Sequence, residues 1–145
     1  MTADDIIERL ELSPHPEGGW FRQTWIGDET PRASGTCIYF LLKAGERSHW
    51  HKVDATEIWL YHAGAPLTLH LSETETGPAR TERLTPDLSK GRPQIIVPEN
   101  HWQAAQSTGA YTLVSCTVAP GFEFSGFEMA PDDWFPRPRP AGGTV

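Results

Sequence analysis

From Pro14 onward the chain is broken at short intervals by proline and glycine, thirteen of each in 145 residues. This spacing restricts the fold more than any other feature. An internal proline removes a helical hydrogen bond and costs a helix about 3 kcal/mol, so a helical bundle is excluded. Between the breaks lie short runs rich in β-branched and aromatic residues, such as Thr36-Cys37-Ile38-Tyr39-Phe40-Leu41-Leu42 and Tyr111-Thr112-Leu113-Val114-Ser115-Cys116-Thr117-Val118. Residues of that kind suit a pleated, half-buried surface. Strands are predicted over residues 20–25, 35–43, 49–53, 57–63, 67–72, 80–84, 94–97, 101–106, 111–118 and 122–127. Many short strands with regular turn signals predict an all-β sandwich or barrel. One helix is expected, over residues 2–12. Thr2 and Asp5 form a capping-box-like start, Ile6, Ile7 and Leu10 share a face, and Pro14 and Pro16 end it.

A chain of this length holds one domain, expected over residues 1–130. Residues 131–145 then form a proline-rich tail of polyproline II character. Trp134 and Phe135 are expected to pin the tail to the body, leaving residues 141–145 loose. Twelve Lys and Arg against nineteen Asp and Glu give a net charge of −7. With no basic run, the chain lacks the electrostatic footprint of a nucleic-acid binder. No apolar stretch approaches the ~18 residues of a membrane span. The start, Met1-Thr2-Ala3-Asp4-Asp5, is acidic where a secretory leader is basic, so a cytoplasmic location is expected. Cys37 and Cys116 sit in apolar runs and read as reduced, buried thiols.

Chemistry is concentrated between Gly45 and Gly64. On a regular strand His49 and His51 point to one face, with Trp50 and Lys52 on the other. Glu57 follows on the next strand, sharing its face with Trp59 and Tyr61, and His101 opens a later strand with Gln103 aligned to it. Two chemistries follow. His49, His51, Glu57 and His101 make a ligand set for one divalent iron, manganese, nickel, zinc or copper ion. Without metal, His49 or His51 would abstract a proton beside a carbonyl, Asp54 or Glu57 would set the imidazole, and Tyr61 or Tyr39 would return the proton. Tyr39, Arg47, Trp59 and Gln103 are candidate substrate-binding residues, whereas His62 and His70 read as structural or solvated.

His49-x-His51, Glu57 and Gly64 resemble a first cupin motif, and Pro98-x-x-His101 a degenerate second one. The gap from His51 to Glu57 is longer than in the general motif. Closer matches are Pro14-His15-Pro16-Glu17-Gly18-Gly19-Trp20-Phe21, Ser48-His49-Trp50-His51, Glu57-Ile58-Trp59, His62-Ala63-Gly64 and Val118-Ala119-Pro120-Gly121-Phe122-Glu123-Phe124. These strings resemble the small Cupin 5 family, from about residue 8 to residue 130. The resemblance implies an RmlC-like jelly roll (a double-stranded β-helix) with a pocket in its mouth, assembled as a homodimer. In that frame His15 reads as a turn or dimer contact. The expected ligand is a small polar molecule, carbohydrate-like or a carboxylate. The expected role is an epimerase, an isomerase or a metal-dependent enzyme, with a non-catalytic binding module as the alternative.

Overall fold

The computed structural model describes residues 1–139. The helix, α1 (Ala3–Leu10), carries the full capping box: Thr2 accepts from the Asp5 amide, and the Asp5 side chain accepts from the Thr2 amide. It ends before the prolines, because Glu11 turns left-handed at φ 56° and closes the last carbonyls. Eleven strands follow: β1 (Ser13–Pro14), β2 (Trp20–Ile26), β3 (Thr36–Lys43), β4 (Arg47–Val53), β5 (Thr56–Gly64), β6 (Leu67–Ser72), β7 (Arg80–Leu84), β8 (Gln94–Val97), β9 (Trp102–Ser107), β10 (Tyr111–Ala119) and β11 (Phe127–Met129). They form two antiparallel sheets, ordered β1-β2-β3-β10-β5-β8 and β11-β4-β9-β6-β7. This is the all-β double sheet expected from the turn spacing. No helix of the described residues is long and apolar enough to cross a membrane.

The period of two along each strand builds the core between the sheets. Leu67, Leu69 and Leu71 of β6, Phe40 and Leu42 of β3, Trp59 of β5 and Val114 of β10 are all at most 1% exposed. Each such side chain contributes about 1.5–3 kcal/mol of burial. The alternate residues of β3 and β10, Tyr39, Leu41 and Leu113, face outward beneath α1, against Ile6 and Leu10. Along β3 the inward residues become smaller toward one end, from Leu42 and Phe40 to Ile38 and Thr36. There the packed core gives way to a cavity.

Two expectations are corrected by packing. Residues 122–127 are not one strand, because Phe124–Gly126 form a 3₁₀ turn and only Phe127–Met129 pair, with β4. The aromatic run there serves a cluster, with the rings of Phe122, Phe124 and Phe127 5.0–6.0 Å apart. In the tail, the Trp134 ring lies 4.5 Å from that of Trp102 and 6.1 Å from that of Trp50. Phe135, by contrast, is 48% exposed. Residues 141–145, expected to be loose, lie outside the described residues. Cys37 and Cys116 are both free thiols; Cys116 is buried and Cys37 only half-buried.

Candidate functional site

The segment Pro14-His15-Pro16-Glu17-Gly18-Gly19 folds back on itself. The Gly18 amide bonds the His15 carbonyl, and the His15 amide bonds the Gly19 carbonyl. Gly18 and Gly19 take φ of 108° and 76°, a region that a side chain strains. The turn is docked on β4 by the His49 amide, which donates to the Glu17 carbonyl at 2.8 Å. A carboxyl group is thereby carried from a loop into the sandwich. A Cβ at Gly18 would collide with the Arg47 carbonyl. Gly18→Ala is therefore expected to cost about 1–3 kcal/mol and to lower the melting temperature by several degrees. An unchanged melting curve would contradict this account of the turn.

The cavity has a volume of about 190 Å³ and is bounded by β2, β3, β4, β5, β10 and the Phe122–Phe124 segment. Its polar side chains include His15, Glu17, His51 and Glu57; its apolar walls include Phe21, Ile38, Val53, Val118, Phe122 and Phe124. His51 is 1% exposed. Its Nδ1 lies 2.7 Å from the His49 carbonyl. A carbonyl only accepts, so Nδ1 carries the proton and Nε2 keeps its lone pair. That Nε2 has no hydrogen-bond partner among the described residues and lies 3.7 Å from Glu17 Oε1. Ser48 donates to the other Glu17 oxygen. His15 accepts the Glu17 amide at Nδ1, 3.1 Å away, and its ring packs edge-on to Phe21 at 4.5 Å.

Glu57 is held from behind. Indole only donates, so Trp59 Nε1 fixes the orientation of the Gln103 amide through Oε1 at 2.9 Å. Gln103 Nε2 must then face Glu57 Oε1, at 2.8 Å. These environments shift the four titrating groups toward neutrality. Burial pushes Glu17 up to about 8, with the Ser48 hydroxyl opposing. Burial likewise raises Glu57 to about 7, against the pull of His51. Burial lowers His15 to about 4, helped by His51, and lowers His51 despite the nearby Glu57 charge.

Of the residues singled out in the sequence, the structure brings His51 and Glu57 to the cavity and sets Gln103 and Trp59 behind Glu57. The others lie elsewhere. Ser48 pairs with Ala105 and His51 with Gln103, so three steps along β4 match two along β9. This bulge breaks the alternation, which separates His49 from His51. His49 does not line the cavity; its Nε2 instead meets the Pro131 carbonyl at 2.7 Å. The Tyr61 hydroxyl is spent on the Gly64 carbonyl at 2.6 Å. Tyr39 faces α1 because its neighbour Phe40 faces the core. Arg47 is exposed and bonds the Asp132 carbonyl at 2.8 Å. His101 lies outside the cavity lining, just before β9 begins.

The metal set read from the sequence does not fit this arrangement. His49 and His101 are absent from the cavity that His51 and Glu57 share. No group of three or more His, Cys, Asp or Glu among the described residues is arranged to hold a metal ion. The two residues that sequence reasoning missed as chemistry are Glu17 and His15. Their signal was a carboxylate placed directly before a glycine pair.

A family model described as "Cupin superfamily (DUF985)" matches residues 4–130. The X-ray structure of a protein from Shewanella oneidensis is 38% identical, with a TM-score of 0.85 over 90% of this chain and 85% of that one. A hypothetical protein from Leishmania major is 30% identical, with a TM-score of 0.83 over 90% of this chain and 88% of that one. Oxalate decarboxylase from Bacillus subtilis shares the fold at 14% identity, with a TM-score of 0.62 over 80% of this chain and 29% of that one. No curated protein matches the sequence.

Proposed function

The chain belongs to the Cupin 5 family of the cupin superfamily, and from its cavity we propose an enzyme that moves a proton on a small carbonyl compound, in the manner of an isomerase or epimerase. One observation carries this reading. His51 Nε2 presents a lone pair 3.7 Å from Glu17 Oε1, inside a cavity whose walls are largely apolar. A base and an acid placed side by side are what enolisation requires.

His51 Nε2 takes the proton from the carbon next to the carbonyl. The C–H electron pair moves into the C–C bond, and the carbonyl oxygen takes the Glu17 proton as the enol forms. At neutral pH Glu17 holds that proton, since its pKa is raised to about 8. The imidazolium is stabilised by the Glu57 charge, itself positioned by Gln103 and Trp59. Returning both protons, to either carbon or either face, gives the isomer or the epimer. No arginine or lysine lines the cavity among the described residues, which turns the reading away from the carboxylate ligands expected from sequence.

The test is deuterium uptake from heavy water into hydroxyacetone, dihydroxyacetone and simple methyl ketones, followed by proton NMR. Catalysed exchange is expected with at least one of them, unchanged after dialysis against a chelator. Binding of these ketones without any exchange would assign the cavity to a non-catalytic binding role. Assembly as a homodimer and a cytoplasmic location belong to the same proposal. A size-exclusion profile at the mass of one chain would remove the dimer.

A further inference from the structure

Apolar side chains form most of the cavity wall, although Gln23 and Thr36 also line it, beside Ile38 and Phe122. Glu17, His51 and Glu57 stand together, tied by the Ser48, His49 and Gln103 contacts behind them. Ile38, Val118, Phe122 and Phe124 offer a ligand no hydrogen bond. A polyhydroxylated ligand placed there would bury hydroxyls against hydrocarbon, each at a cost of about 1–3 kcal/mol. An anionic ligand would meet two carboxyl groups and no cation. His51 adds an independent sign of a ligand, being 1% exposed with Nε2 unbonded and facing the cavity.

We infer that the substrate is an uncharged ketone with a hydrocarbon body, its carbonyl set between Glu17 and His51 and its alkyl or aryl part against Phe122, Phe124 and Ile38. The same lining disfavours a sugar, most of whose hydroxyls would meet hydrocarbon, and an oxo acid, whose charge would meet no cation among the described lining residues. The inference rests on the proton-transfer reading for the placement of the carbonyl, and it adds the identity of the remainder of the molecule. Phe124 is the wall most open to change, because it is 58% exposed and belongs to a short 3₁₀ turn.

The experiment is a calorimetric titration series on the full chain with butan-2-one, pentan-2-one and hexan-2-one, alongside dihydroxyacetone and 2-oxobutyrate. Each added methylene is expected to tighten binding about fourfold, the factor for burying one such group. Dihydroxyacetone is expected to bind at least tenfold more weakly than pentan-2-one, and 2-oxobutyrate more weakly still. Phe124→Ala is expected to flatten the methylene increments while leaving the melting temperature within a few degrees of wild type. Affinity independent of chain length, or dihydroxyacetone or 2-oxobutyrate binding as tightly as pentan-2-one, would overturn the inference, as would a series in which no ketone binds. The series needs no variant, so misfolding of Phe124→Ala cannot obscure it. The two proposals fail separately. Methylene increments without heavy-water exchange would sustain the ligand class and end the catalytic reading. Exchange of dihydroxyacetone without increments would do the reverse.

Discussion

His51→Ala is expected to slow exchange of the ketone α-protons by about 10²–10⁴-fold, the usual contribution of a positioned general base. The effect should fall on turnover more than on binding, since the apolar walls are untouched. The pH profile supplies the decisive readout. Exchange requires neutral His51 and protonated Glu17. Burial lowers the pKa of His51, so the acid limb should lie below the ordinary histidine range. Glu17 is raised to about 8, so the rate should fall as the pH passes that value. Glu17→Gln should remove the alkaline limb along with much of the rate. A profile that keeps its alkaline limb in Glu17→Gln would end the assignment of Glu17 as the proton donor.

Glu17→Gln should also weaken a stability trend. A carboxyl group whose pKa rises from the unfolded value of about 4.5 to about 8 in the folded chain keeps its proton on folding. Its contribution is complete below pH 4.5 and is lost as the pH rises through 8. Across that window it lowers stability by about 1.4 kcal/mol per pH unit. Glu57, raised to about 7, acts in the same sense over a narrower range. The histidines oppose them at lower pH. His15 stays neutral to about 4 when folded, whereas an unfolded histidine takes up a proton below about 6.5. The two effects offset one another between pH 4.5 and 6.5, and the carboxyl groups dominate from 6.5 to 8. Wild type should therefore lose stability over that upper interval, while Glu17→Gln loses distinctly less. At pH 8.5 the variant should exceed wild type by a few kcal/mol in denaturant unfolding. Equal slopes for the two proteins would show that Glu17 is not buried in the folded chain.

Much of the architecture was legible in the residue order. Breaks by proline and glycine excluded long helices, the β-branched and aromatic run Thr36–Leu42 marks β3, and Leu67–Ser72 carries the period of two that builds β6. Segments 67–72, 80–84 and 94–97 match β6, β7 and β8 residue for residue, because turn residues bound them sharply. The segment 122–127 departs from the expected strand for a specific reason. Its phenylalanines have strand propensity, yet their partners are one another across a 3₁₀ turn. Propensity describes a residue's preference for a pleated surface and is silent on which surface exists.

The candidate site divides along the same line. By itself, the sequence determined the double-sheet fold and the family resemblance, and placed His51 and Glu57 among the residues to weigh, since strand alternation and motif spacing are local properties. Only the tertiary structure decided which neighbours join them. A one-residue bulge in β4 turned His49 away from His51, and a glycine turn carried Glu17 from a distant loop to within 3.7 Å of the His51 ring. Both outcomes depend on pairing between strands far apart in the chain, where one residue of register reverses the face that a side chain presents.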